Sequence, residues 1–325
     1  MHKSFILALA VALSFSTATL AEVPRVVATV KPIHSLVAAV MGDLGAPALI
    51  VSGASSPHTY SLKPSDAQAL QSADLVFWTG HGLELFLEDS INALAPKATV
   101  VELSQSPGIE LLPPRESGTF EEHADHDDHA HEGEDHAHEG EDHAHEGEDH
   151  AHEGEKDMHF FLDPENAKAM VAVIADSLAK ADPEHAETYK SNAAAETADL
   201  DALIAETTAS LAPIKDRPFV VFHDAYQYFE HRFGLNVAGS ITVSPELTPG
   251  AERINQIRDK LKTLDAACVF AEPNFNPRLV DVLTEGTSAR RGTLDPEGGT
   301  RAEGPDLYRT LITGLAGSLK DCLGG

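Results

Sequence analysis

The chain has 325 residues, more than one compact core organises, so two lobes are expected. Its 52 acidic residues against 23 basic ones leave a formal net charge of −29. That balance excludes nucleic acid and anionic membrane surfaces as partners and favours cations.

Residues 1–21 begin Met-His-Lys, run apolar from Phe5 to Leu13 and end in small residues at Ala21. This reads as a secretory signal peptide, because the apolar run falls well short of the ~20 residues of a membrane-spanning helix. No cysteine adjoins the cut, so an exported periplasmic protein without a lipid anchor is expected. Residues 22–182 are assigned to an N-terminal α/β lobe. In "RVVATVKPIHSLVAAVMGD" a β-branched run predicts a strand, which turns at Lys31-Pro32 into a helix with Ile33, Leu36, Val37 and Val40 on one face. A strand at Leu49–Val51, a Gly/Ser/Pro loop, a helix from about Pro64 and strands at Leu75–Thr79 and in "ATVVELS" repeat the plan. Such alternation predicts a mainly parallel sheet covered by helices.

Residues 121–157 interrupt this lobe with seventeen acids against a single base, Lys156, and carry about half the charge imbalance. Ten histidines lie among them: His123, His126, His129, His131, His136, His138, His143, His145, His150 and His152. The seven-residue repeat has no apolar positions to form a coiled-coil seam, so a disordered loop is expected. His-x-His pairs beside carboxylates make it an accessory, low-affinity collector or sensor of transition metal, or only a solvated buffer.

Order resumes with a helix at Pro164 carrying Ala167, Met170, Val171, Ile174 and Leu178 on one face. A second helix, capped by Asp182 and free of internal Gly or Pro, is predicted to run from near Pro183 to about Leu211; residues 183–212 are assigned as a stiff linker. Residues 213–325 form the C-terminal α/β lobe, with a strand and helix in "PFVVFHDAYQYFEHRFGL", a strand in "AACVFAE" and a helix from about Pro277. Cys268 and Cys322 either form a disulfide, which an oxidising compartment favours, or remain two thiols.

Ligands of open α/β sheets gather at strand carboxyl ends. His58, His159 and His223 occupy comparable loop positions there, two in the first lobe and one in the second, and could converge between the lobes. Three imidazoles and one oxygen suit four-coordinate Zn²⁺. His34 is expected to be structural, His81 a minor candidate, and His185 and His231 helix-surface residues. Asp224 could orient His223 or cap the next helix, and Glu272 could support a ligand or cap a helix. A zinc hydrolase is a rival reading, but there is no His-Glu-x-x-His and no general base beside the candidates. An adhesin on the same scaffold is another.

The segments "ATVKPIHSLVAAVMGD", "PHTYSLKPSDAQALQSADLVFWTG", "MHFFLDPENA", "FVVFHDAYQYFEHRFGL", "PGAERINQIRDKLK", "CVFAEPNFNPRLVD" and "GTLDP" resemble, in order, the ZnuA family of periplasmic zinc-binding proteins of bacterial zinc ABC importers. The resemblance implies two lobes bridged by one long helix with the metal between them, and an acidic, histidine-rich insert before the "MHFFLDP" segment. It implies His58, His159 and His223 as ligands and a disulfide between Cys268 and Cys322. Some members place Glu before the first ligand, where this chain has Pro57; Asp295 is therefore the candidate fourth ligand, with water as the alternative. Related manganese-binding proteins carry Glu at the place of His223, which disfavours a manganese or iron importer component. The expected protein is a monomeric, non-enzymatic receptor delivering Zn²⁺ to a membrane permease.

Overall fold

The computed structural model describes residues 23–115, 156–242, 249–263, 267–275 and 278–324. The proposed signal peptide at 1–21 and the ten histidines of the acidic tract lie outside the described residues. Strands β1 (Val26–Ala28), β2 (Ala48–Leu49), β3 (Leu75–Trp78) and β4 (Thr99–Glu102) form one parallel sheet in the order β2-β1-β3-β4. Strands β5 (Phe219–His223), β6 (Val237–Thr242), β7 (Cys268–Ala271) and β8 (Arg290–Thr293) form a second, also parallel, in the equivalent order β6-β5-β7-β8. In each parallel sheet the order in which strands are added therefore reverses beside its first strand, the place where an open α/β sheet leaves a crevice at its carboxyl ends.

Helix α1 (Lys31–Met41) starts with proline in its first turn and is buried along almost its whole length. Helices α2 (Pro64–Ser72) and α3 (Glu88–Leu94) flank the first sheet. Helix α4 (Pro164–Ala181) is capped by Asp163, whose carboxylate accepts from Glu165 N, one of the donors a helix start leaves unpaired. Asp182 then caps a short 3₁₀ turn that leads into α5 (Ala186–Leu211). The 26 residues of α5 extend roughly 39 Å at the ordinary helical rise. Its buried stripe of Tyr189, Ala193, Leu200, Leu203, Thr207 and Leu211 recurs at helical spacing. Through that stripe α5 packs on α1 and α4 of the first lobe and on α6 (Gln227–Phe233) and the terminal α9 (Leu307–Leu323) of the second.

This is the expected pair of α/β lobes joined by one long helix. One continuous apolar core runs from Val26 in the first sheet to Phe270 and α9 in the second. A smaller core under α7 (Ala251–Thr263) and α8 (Arg278–Thr284) covers the outer face of the second sheet. Polar ties cross the junction as well. Lys31 Nζ donates to the carbonyls of Gly298, Gly299 and Arg301 at 3.0–3.3 Å, which uses all three of its donors. Arg232 of α6 makes a two-pronged ion pair with the buried Asp163 at 2.6 and 2.7 Å. Among the described residues no helix is long and apolar enough to cross a membrane.

The crevice of the first sheet is filled from within. Glu84, fully buried, accepts from Thr29 Oγ1 just past β1 and from Thr79 Oγ1 just past β3. Burial pushes its carboxyl up to about 7, against the lowering effect of its hydrogen bonds. The folded state thus holds this proton more tightly than the unfolded chain, so Glu84's contribution to stability is complete below about pH 4.5 and is lost as the pH rises towards 7. Glu84→Gln is expected to gain on the wild type across that window by up to about 3 kcal/mol. Urea unfolding of the metal-free protein at the two ends of the window reads this; an unchanged difference between variant and wild type overturns it.

Candidate metal centre

His58 lies on the long loop between β2 and α2, half-buried behind the buried Pro57. His159 precedes the 3₁₀ turn Phe160–Leu162 that leads into α4, and His223 is the last residue of β5. Both are buried. Residues 58 and 159 come from the first lobe and 223 from the second, and one ligand atom from each lies within 4.8 Å of the others. His58 Nε2 and His159 Nε2 are 3.3 Å apart. Two nitrogens held 2.0–2.1 Å from one ion at a tetrahedral angle would be separated by about that distance. The ring centroids are 5.3–5.7 Å apart, and all three planes are inclined to one another.

Two carboxylates set the direction of two rings. Asp157 Oδ1 accepts from His159 Nδ1 at 2.8 Å and from His159 N at 3.0 Å. Glu272, directly after β7, accepts from His223 Nδ1 at 2.8 Å with either oxygen, and also from Tyr226 Oη at 3.2 Å. His223 and Glu272 thereby sit on either side of the second sheet's crevice. A proton committed at Nδ1 leaves the Nε2 lone pair for a metal and makes the imidazole more basic. His223 Nε2 is buried without a hydrogen-bond partner among the described residues, an arrangement that costs free energy unless a cation meets it.

The electrostatics separate the rings. Burial, reinforced by the neighbouring His159 and His223, pulls His58 down to about 2, so it stays neutral. Burial also acts to lower His223, but the charge and hydrogen bond of Glu272, with Asp224 and Asp157 behind, outweigh it and hold His223 above the ordinary imidazole value. Phe161 and Phe275 approach the rings of His159 and His223 at 6.1 and 6.2 Å between centroids.

Asp295 does not join the group. Its Oδ1 accepts from Gly299 N at 2.9 Å, and its Oδ2 accepts from Thr300 N at 3.0 Å and Thr300 Oγ1 at 2.8 Å. The carboxylate is spent on shaping its own loop. No other His, Cys, Asp or Glu among the described residues joins the three imidazoles. His34 is buried with Nε2 on Pro47 O at 3.0 Å, and the exposed His81 pairs with Glu88. His185 bonds Asp182, and His231 is exposed. Asp224 accepts a hydrogen bond from Arg115 at 3.1 Å and acts on His223 through its charge. Sequence reasoning missed Asp157, whose only mark was its place two residues before His159 at the end of an acidic run. Glu297 is buried nearby, and burial, then the charges of Glu272, Asp295 and Glu84, pushes its carboxyl well above the ordinary glutamate value.

Two parallel α/β lobes, a rigid helical bridge and imidazoles converging from both lobes define a solute-binding protein for a transition-metal ion. The family model of ZnuA, "Zinc-uptake complex component A periplasmic", matches residues 26–322, and the chain belongs to this family. It is 52% identical to the high-affinity zinc uptake system protein ZnuA of Brucella abortus (strain 2308), over 99% of this chain and 98% of that protein. It is 41% identical to the protein of the same name from Paracoccus denitrificans, over 97% of this chain and 98% of the other. A crystal structure of ZnuA superposes with a TM-score of 0.73 at 23% identity, covering 92% of this chain and 99% of that one, and so shares its fold. The chain is a solute-binding protein, not an enzyme.

Proposed function

We propose that the protein captures Zn²⁺ in the periplasm and passes it to the permease of an ABC importer, with His58, His159 and His223 as the protein ligands. The observation that carries this reading is the convergence of three imidazole nitrogens, one of them the buried and unpartnered Nε2 of His223. Imidazole donors favour Zn²⁺ over Mn²⁺ or Mg²⁺. With Asp295 occupied by its loop, a water is the better fourth ligand. The core that continues across the lobes argues for release by a small displacement rather than a wide hinge. The acidic tract, with its His-x-His pairs beside carboxylates, would serve as an accessory collector or sensor of lower affinity, or only as a solvated buffer.

Deleting residues 123–155 tests the division of labour. One tight zinc ion per chain should persist, measured by competition with a chelator, and a zinc-bound crystal should place anomalous density among the three rings. Loss of tight binding with the tract would assign the principal site to the tract instead.

Two consequences follow from the electrostatics. His58 carries no proton for zinc to displace above about pH 2, whereas His223 does, so affinity should start to decline as the pH falls towards the imidazole range from above. Glu272→Gln keeps an acceptor for His223 Nδ1 but removes the charge, and an affinity loss of about tenfold is expected. Zinc titration at neutral pH reads it, with thermal unfolding of the metal-free protein as the control for folding.

A further inference from the structure

Asp157 is held by no strand or helix, yet its carboxylate fixes the ring of His159. What holds Asp157 comes largely from the other lobe. Tyr228, buried on α6, donates its hydroxyl to Asp157 O at 2.6 Å, and the Tyr228 hydroxyl oxygen accepts from Leu112 N at 2.8 Å. Asp157 N donates in turn to Leu112 O at 3.0 Å. The Gln227 amide, with its nitrogen facing them, donates to Asp157 Oδ2 at 3.2 Å and to Pro113 O at 3.1 Å. Arg115 extends the tie, bonding Asp224 at 3.1 Å and also Glu230. The stretches 112–115 and 156–157 are thus pinned together on the helix that begins four residues after His223.

We propose that Tyr228 is a positioning residue for metal binding, acting across the lobe junction: its hydroxyl sets Asp157, Asp157 sets the imidazole of His159, and α6 ties that imidazole to His223. The inference rests on His58, His159 and His223 being the ligands. Its physical basis is that ligand geometry tolerates little slack, and residues behind a ligand that orient it govern affinity as directly as contact does. Tyr228 touches no ligand ring, so its effect must pass through Asp157. Deleting its hydroxyl leaves Asp157 O and Leu112 N without their partner and frees the carboxylate to drift. No sequence pattern marks this tyrosine, since its partners lie 71 and 116 residues away.

The test measures Zn²⁺ affinity of the full chain by chelator competition. Tyr228→Phe should weaken binding about tenfold. Tyr189→Phe, which removes another buried hydroxyl bond, to Asp182 at 2.9 Å, should leave affinity unchanged whatever it does to the melting temperature. On an Asp157→Ala background, Tyr228→Phe should add no further loss. That dependence on background would not arise from a general loss of stability. Wild-type affinity in Tyr228→Phe, or an undiminished loss on the Asp157→Ala background, overturns the proposal. If His159→Ala binds as tightly as the wild type, the ligand assignment itself fails, a result distinguishable because it does not involve Tyr228.

Discussion

His223→Ala is expected to lower Zn²⁺ affinity on the order of 10²- to 10³-fold while the metal-free protein still folds. Structural zinc sites bind with apparent free energies of about 10–16 kcal/mol spread over four ligands, roughly 3 kcal/mol or more for each. His223 should stand at the upper end for two reasons. It is the sole imidazole that the second lobe supplies to the group, so without it no ligand among the three spans the junction. Its Nδ1 is already aimed by Glu272, so it loses little freedom on binding. Truncation also leaves the buried Glu272 with Tyr226 Oη and the residue 223 backbone amide as its donors among the described residues, at a cost in stability that makes the separate check of folding necessary. Chelator competition measures the affinity, and far-ultraviolet circular dichroism the fold. A variant that binds within a few-fold of the wild type would remove His223 from the ligand set.

Cys268→Ser combined with Cys322→Ser is expected to cost about 4 kcal/mol of stability, from the chain entropy released when a closure of 54 residues is opened. The bridge joins the start of β7 to the end of α9, with both cysteines buried. It encloses α8, β8 and the loop whose carbonyls receive Lys31. Arg217 closes the same end by donating to Leu323 O. Denaturant unfolding with and without reductant gives the measure: the wild type should fall to the level of the double variant in reductant. Equal midpoints for oxidised wild type and variant would show that the bridge adds nothing. Zinc affinity under native conditions should hardly change, since Glu272 is kept in place by β7 pairing with β5 and β8 as well.

Much of this architecture was legible in local pattern. Pro32, Pro64 and Pro164 mark helix starts because proline has no amide hydrogen to lose there, and all three helices begin at or beside them. Asp182 was readable as a cap, and the helix it precedes ends at Leu211. The β-branched runs at Val26 and Phe219 formed the central strands, buried on both faces. Other elements left no such trace. Strand β8 reads Arg-Arg-Gly-Thr and is largely exposed; its partner β7 makes it a strand, with Gly292 leaving room for the Phe270 ring. Strand β6 and helices α3, α7 and α9 also went unassigned in the sequence reading.

By itself the sequence determined two α/β lobes, a stiff helix between them, a charge that favours cations and three histidines at strand ends worth testing. Those follow from periodicity, caps and side-chain chemistry, which act over a few residues. Only the tertiary structure decided that His58, His159 and His223 meet, that Glu272 serves His223 and Asp157 serves His159, and that Asp295 is held by its own loop. Those relations depend on which ring or backbone N–H each carboxylate finds within 3 Å once the chain has folded. Such contacts, 49 residues apart for His223 and Glu272, are fixed when two sheets and a shared core close around them.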